Sequence, residues 1–356
     1  MADHYGARRD RLRAALGEQE IECALVTSLI DVRWLTGFTG SYANVLITPE
    51  VTMIGTDGRY TDQVVAEVGD IDVVIGRQVH RELLAKAKEL GQAKVYVDED
   101  VITVSALRDM QLSGIVEAVK FPLAQLRMRK DAYEIAALEE ACRISDLALA
   151  EVISGRLLGR TEREVAVALE RRMIDLGAQA IAFDTIVGSG PNSAIPHHQP
   201  GDRVIRSSDL LKIDFGARVQ GYHADETRTF VMGEPQDWQV QIHETVYAAQ
   251  TAGIAALREG VSLREVDAAA REVIEAAGFG KAFTHGLGHG VGLVIHEEPF
   301  FAASSTGILH AGTPVTIEPG IYLSGRGGVR IEDTVLVGST GAHSLTKSPR
   351  ELVVLG

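Results

Sequence analysis

The chain opens with short apolar runs that alternate with amphipathic ones. Residues 21–27, 44–47, 51–54, 71–75 and 94–97 are short and rich in β-branched and apolar side chains, as strands are. Residues 10–16 and 81–90 instead repeat apolar positions at helical spacing. Together they predict an α/β unit. Near Phe121-Pro122-Leu123 the character changes. A surface hinge, Arg127-Met128-Arg129-Lys130, leads into a long helical stretch at 131–153 rich in Ala, Leu and Glu. The expected domains are therefore 1–125 and 126–356.

The second part carries an internal echo. Thr161 with Glu164, and later Ser262 with Glu265, each have the pattern of a capping box. Each opens an Ala/Leu/Glu-rich run that ends at a glycine, Gly177 or Gly278. Two similar half-domains facing each other would leave a cleft between them.

Two hairpins follow from the alternation of apolar and polar positions. Residues 210–216 run towards a turn at Val219-Gln220-Gly221 and 222–231 run back, so Asp214 and Asp225 are expected opposite or nearly opposite each other. Like charges so placed repel, and acids in apolar strands lose hydration. Taken alone, this is a surface hairpin with two solvated acids. The pattern recurs, however: 313–318 and 329–335 flank the glycine-rich turn 324–328 and carry Glu318 and Glu332, with Arg330 on the face of Glu332. Between the hairpins, His289 stands among glycines that allow close backbone approach. No HExxH helix and no dinucleotide loop is present in the sequence. Four carboxylates balance two divalent cations, and with one imidazole they suggest a paired-metal site.

Composition narrows the partners. The 356 residues are 46% hydrophobic and 24% charged, which suits a soluble globular chain of two or three domains. A net charge of −14 argues against nucleic acid or an anionic membrane as the main partner. Two cysteines, Cys23 and Cys142, cannot build a disulfide framework or a thiolate cluster. With no apolar span and a charged N-terminus, the expectation is a cytoplasmic protein.

The motifs Lys212-Ile213-Asp214-Phe215-Gly216, Ala224-Asp225-Glu226-Thr227-Arg228-Thr229, His285-Gly286-Leu287-Gly288-His289-Gly290, Ile317-Glu318-Pro319-Gly320 and Arg330-Ile331-Glu332-Asp333 resemble those of the pita-bread metallopeptidases. That group contains proline dipeptidase (prolidase), aminopeptidase P, methionine aminopeptidase and the metal-free creatinase. Trp34-Leu35-Thr36-Gly37-Phe38-Thr39-Gly40-Ser41 and Asp57-Gly58-Arg59-Tyr60 resemble the N-terminal domain of prolidases and aminopeptidases P, which methionine aminopeptidases lack.

The resemblance implies an α/β creatinase-like N-terminal domain and an α+β pita-bread catalytic domain with a pseudo-twofold repeat. By the same resemblance Asp214, Asp225, His289, Glu318 and Glu332 would hold two divalent ions, Mn²⁺ before Co²⁺ or Zn²⁺. Asp225 and Glu332 would bridge the ions, and Glu318 would also shuttle the proton. His197 and His296 would act as catalytic hydrogen-bond donors to the substrate, while His285 and Phe183 would line a proline pocket. Arg330 would bind a substrate carboxylate. The implied activity is cleavage before proline as an Xaa-Pro dipeptidase, with Xaa-Pro aminopeptidase on longer peptides as the alternative. A catalytically silent peptide-binding protein on the same fold is a more distant one. A homodimer is also implied.

Overall fold

The computed structural model describes residues 4–356. They fall into two compact units that meet after Arg127. In the first, helices α1 (His4–Glu18), α2 (Leu29–Thr36), α3 (Thr61–Glu67), α4 (Val79–Glu89), α5 (Val104–Gln111) and α6 (Leu123–Met128) accompany six strands. The strands are β1 (Ala24–Val26), β2 (Ala43–Ile47), β3 (Thr52–Thr56), β4 (Asp72–Ile75), β5 (Val95–Asp98) and β6 (Val116–Val119). They form one mixed sheet in the order β4-β3-β2-β1-β5-β6. Leu25, Leu46, Val95 and Val97 pack with Val79, Leu83 and Leu84 of α4 in its core. The strand expected from residue 21 starts only at Ala24, because the Ile21 amide is spent closing the end of α1 on the Leu16 carbonyl.

The second unit is built twice. Its first half holds α7 (Ala132–Ile153), α8 (Glu162–Asp175), β7 (Ala180–Ile181), β8 (Ile186–Ser189), β9 (Leu210–Phe215), β10 (Ala217–Val219), β11 (Tyr222–His223) and β12 (Glu226–Met232). Its second half holds α9 (Asp237–Ala256), α10 (Leu263–Ala276), β13 (Gly288–Gly290), β14 (Glu297–Phe301), β15 (Pro314–Ile317), β16 (Gly320–Leu323), β17 (Gly327–Arg330), β18 (Asp333–Val337), β19 (Ala342–Ser344) and β20 (Val354–Leu355). The sheets run β20-β12-β9-β8 and β14-β13-β15-β18-β19. Each half has its own core. Leu211, Ile213 and Phe215 pack with Leu149, Val165 and Leu169, and Val315, Ile317 and Val335 pack with Val246, Val266 and Ala270. Since successive strand residues point to opposite faces, burying Leu211, Ile213 and Phe215 turns Lys212 and Asp214 the other way.

Local chemistry explains the boundaries. Asp131 caps α7 with a full capping box, and so does Thr161 for α8. The Ser262 cap expected from its resemblance to Thr161 does not form: its side chain makes no cap hydrogen bond, and the turn instead joins Ile308 and Gly307 through backbone contacts. The hinge also differs from expectation. Lys130 is buried and paired with Glu297 rather than placed on the surface.

Both acid-bearing hairpins form. In the first, Asp214 pairs with Thr227 and Val219 with Tyr222, so the turn is the two residues Gln220 and Gly221, at φ 50° and 87°. Positive φ at both positions is the hairpin turn that matches strand twist. Asp225 therefore lies two residues from the partner of Asp214, a diagonal neighbour on the same face rather than directly across. In the second, Ile317 pairs with Asp333 and Gly320 with Arg330. This common register sets Glu318 across from Glu332 in a gap between the two ladders.

Among the described residues no helix is long and apolar enough to cross a membrane. Cys23 and Cys142 are both buried and not disulfide-bonded.

Candidate metal centre

The hairpins meet at a backbone bridge between Thr227 and Glu332, where the Glu332 amide donates to the Thr227 carbonyl at 3.1 Å. This bridge brings the acids of both halves to one place. Three overlapping groups form there: Asp214, Asp225 and Glu332; His289, Glu318 and Glu332; and Asp225, His289 and His296. Within each, one donor atom per residue lies within 4.8 Å of the others. All five side chains expected to hold ions converge, and His296 joins them as a sixth.

His289 reaches the acids because its strand is pressed against its neighbours. A Cβ on Gly288 would stand 2.0 Å from the Thr316 carbonyl oxygen, and one on Gly290 would stand 2.2 Å from that of Glu298. Only glycine permits that approach. The His289 Nδ1 donates to the Gly290 carbonyl at 3.0 Å, so the proton is on Nδ1 and Nε2 carries a lone pair. That lone pair faces Asp225 Oδ2 at 3.6 Å and Glu318 Oε1 at 3.4 Å. Burial holds the imidazole down at about 4, so it is neutral at pH 7.

A lone pair against two carboxylates is unfavourable unless a proton or a metal cation stands between them. The acids show the same demand. Burial, then the charges of Asp214 and Glu318, pushes Asp225 well above the carboxylate range. Burial, then Asp225 and Glu318, does the same to Glu332. Glu318 is pushed up to about 7, chiefly by burial. Asp214 pairs with the Arg330 guanidinium through Oδ2, while its buried Oδ1 has no hydrogen-bond partner. An orphaned buried oxygen, an aimed imidazole lone pair and a surplus of buried acids fit a pair of divalent cations.

The surrounding hydrogen bonds hold these donors in place. Thr227 Oγ1 donates to Glu332 Oε2 at 2.6 Å and accepts from Arg330 Nε at 3.0 Å. Thr316 Oγ1 lies 3.4 Å from Glu318 Oε1 and accepts from the His289 amide at 3.1 Å. Arg330 also donates to the Pro196 carbonyl and the Tyr322 hydroxyl, so one of its five N–H groups is left for a ligand. Tyr322 in turn lies 2.9 Å from His285 Nε2, and His285 Nδ1 donates to the Gly286 carbonyl at 2.8 Å. Burial, then Arg330, lowers His285 to about 4, so it presents an uncharged ring.

The cluster lies in a cavity of about 550 Å³. Every sequence-expected site residue lines it, including Phe183, His197, His285, His296 and Arg330. His197 and His296 are the exposed members, and burial and His197 lower the pKa of His296. Sequence reasoning missed Thr227, Tyr322 and Lys212. Thr227 and Lys212 stand inside quoted motifs, and the two-residue strand period places Lys212 on the face of Asp214. Nothing local marks Tyr322, whose role depends on Arg330 across the hairpin.

A model of the creatinase/prolidase N-terminal domain matches residues 8–129, and one of metallopeptidase family M24 matches residues 136–339. The chain belongs to metallopeptidase family M24. This M24 protein is 36% identical over 353 residues to an Xaa-Pro dipeptidase of Pyrococcus furiosus, a match covering 97% of this chain and 99% of that one. Among solved structures, the Xaa-Pro dipeptidase from Bacillus anthracis matches with a TM-score of 0.95 at 37% identity, over 99% of this chain and 100% of that one. The X-Pro aminopeptidase from Thermotoga maritima matches with a TM-score of 0.91 at 34% identity, over 98% of this chain and 100% of that one. The fold is thus a creatinase-type N-terminal domain followed by a pita-bread catalytic domain.

A pH dependence follows for the M24 protein stripped of metal. Its raised acids, Glu318 among them, keep protons that the unfolded chain releases near 4.5. The stability they contribute is complete below that value and is lost as pH rises through the folded value, about 7 for Glu318. Above about pH 6.5, where His285 and His289 are neutral in both states and no longer offset the acids, the melting temperature of the chelator-treated protein is therefore expected to fall towards about pH 8. Saturating Mn²⁺ should restore it most at the alkaline end, where the acids are free of protons. Differential scanning calorimetry checks both trends.

Proposed function

We propose that this protein hydrolyses the peptide bond preceding proline, as an Xaa-Pro dipeptidase. The observation that carries the proposal is the convergence of four carboxylates and His289 in a cavity shared with His197, His285 and His296. Asp214, Asp225, His289, Glu318 and Glu332 would hold two ions. Oxygen-rich ligation with one imidazole and no thiolate favours Mn²⁺ over Co²⁺ or Zn²⁺. Bound there, two divalent ions would acidify a water and polarise the scissile carbonyl.

The chain's own groups supply the rest. Glu318, whose Oε1 lies 3.4 Å from both Thr316 Oγ1 and His289 Nε2, takes the proton of the attacking water and passes it to the proline nitrogen. His296 and His197 donate hydrogen bonds to the carbonyl oxygen as it gains charge. The neutral His285 ring and Phe183 wall the proline, and the remaining N–H of Arg330 offers one hydrogen bond to a substrate carboxylate. A homodimer and a cytoplasmic setting belong to the same reading.

The likeness to the Thermotoga maritima enzyme favours a second reading, Xaa-Pro aminopeptidase action on longer peptides. Ala-Pro and Ala-Pro-Ala, each offered with Mn²⁺, separate the readings. The dipeptidase is expected to cleave only Ala-Pro, and release of Ala from Ala-Pro-Ala would move the assignment to the aminopeptidase. Cleavage of neither, by metal-loaded protein, would leave a silent peptide-binding protein.

A further inference from the structure

The segment carrying His197 has no strand or helix to hold it: residues 195–201 form only turns and irregular chain. Side chains fix it from two sides. Before His197, Lys212 Nζ donates to the carbonyls of Ile195 at 2.6 Å and Pro196 at 3.1 Å, and Arg330 Nη1 donates to that of Pro196 at 3.3 Å. After it, His198 Nε2 lies 2.8 Å from Glu162 Oε2. Glu162 opens α8, and its side chain is fully buried.

Glu162 gathers the whole loop. Its Oε1 accepts from the Ser189 amide at 2.8 Å, the Ser189 hydroxyl at 2.7 Å and Asn192 Nδ2 at 3.0 Å. Its Oε2 also accepts from the Gly201 amide at 3.3 Å. Burial works against the charge, but the hydrogen bonds from His198, Ser189 and Asn192 outweigh it and keep the carboxyl below its ordinary range. A buried carboxylate tied to donors at 189, 192, 198 and 201 is a rigid anchor for the side of the loop that follows His197.

We propose that His198 and Glu162, neither of which lines the cavity, are a positioning pair that sets His197 over the reacting carbonyl. The proposal rests on the Xaa-Pro peptidase reading and on the part it gives His197. A hydrogen-bond donor displaced by about 1 Å from its place in the transition state loses most of its effect, up to about 10²-fold. Outer contacts that orient a reacting group typically govern about 10–100-fold.

Steady-state kinetics of the full-length, Mn²⁺-loaded protein on Ala-Pro tests this. Because Glu162 variants expose many buried donors at once, the partly buried His198 is the residue to change. His198→Ala is expected to lower kcat about tenfold, with KM within about twofold of wild type and metal content unchanged. His198→Gln keeps an Nε–H to aim at Glu162 and is expected to recover most of kcat. In a His197→Ala background, His198→Ala is expected to cost nothing further, since the group it places is gone. Wild-type kcat in His198→Ala, equal losses in both backgrounds, or lost metal would each overturn the positioning pair alone. Wild-type protein inert towards both Ala-Pro and Ala-Pro-Ala would overturn the activity reading, and this proposal with it.

Discussion

Asp225→Asn is expected to fold normally, to lose its ions and to lose its activity. Asp225 is buried, and burial together with Asp214 and Glu318 drives it towards the protonated form when no cation is present. Asparagine has the size and charge of that form, so the metal-free variant should melt no lower than metal-free wild type. The ions are another matter. Asp225 belongs to two of the three donor groups, and its loss leaves three carboxylates to balance two divalent cations. Elemental analysis should find fewer than one ion per chain, and turnover of Ala-Pro should fall by at least ~10³-fold, beyond the cost of losing a single oxyanion donor. A variant with wild-type metal content and activity would refute the assignment of Asp225.

Glu318→Gln is expected to lower kcat by about 10²–10⁴-fold, the range of a positioned general acid–base. The proline nitrogen needs a proton to leave, and glutamine carries none. Glu318 is placed to carry it: its Oε1 lies 3.4 Å from both Thr316 Oγ1 and His289 Nε2. Because Glu318 also stands in a donor group, metal content has to be read beside the kinetics. The expected result is a fall in kcat far larger than any fall in bound metal. A kcat within tenfold of wild type would remove Glu318 from proton transfer.

The site was legible where its chemistry is written into strand periodicity. Asp214, Asp225, Glu318 and Glu332 betray themselves as acids within apolar alternation, and the glycines around His289 announce the close approach that Gly288 and Gly290 make. The register of the first hairpin was less legible. A two-residue turn that puts Gln220 at positive φ has no sequence signal as strong as Asn-Gly, so the sequence places the turn within 219–221 but not its two central residues. Ser262 shows the opposite failure, a local capping pattern whose side chain makes no cap hydrogen bond. Lys130 and Glu162 were illegible for a third reason. Their partners, Glu297 and His198, are distant in the chain, and no periodicity links residues that only the fold brings together.

The bridge between Thr227 and Glu332 is where the two halves of the catalytic unit are stitched, and each half brings two of the four acids to that seam. Asp214 and Asp225 from one half complete a donor group only with Glu332 from the other, so ions held there would work as a clasp on a duplicated body. The same ions that make the water reactive would then keep the duplicated parts in alignment, and a chelator would loosen the scaffold as it silences the chemistry.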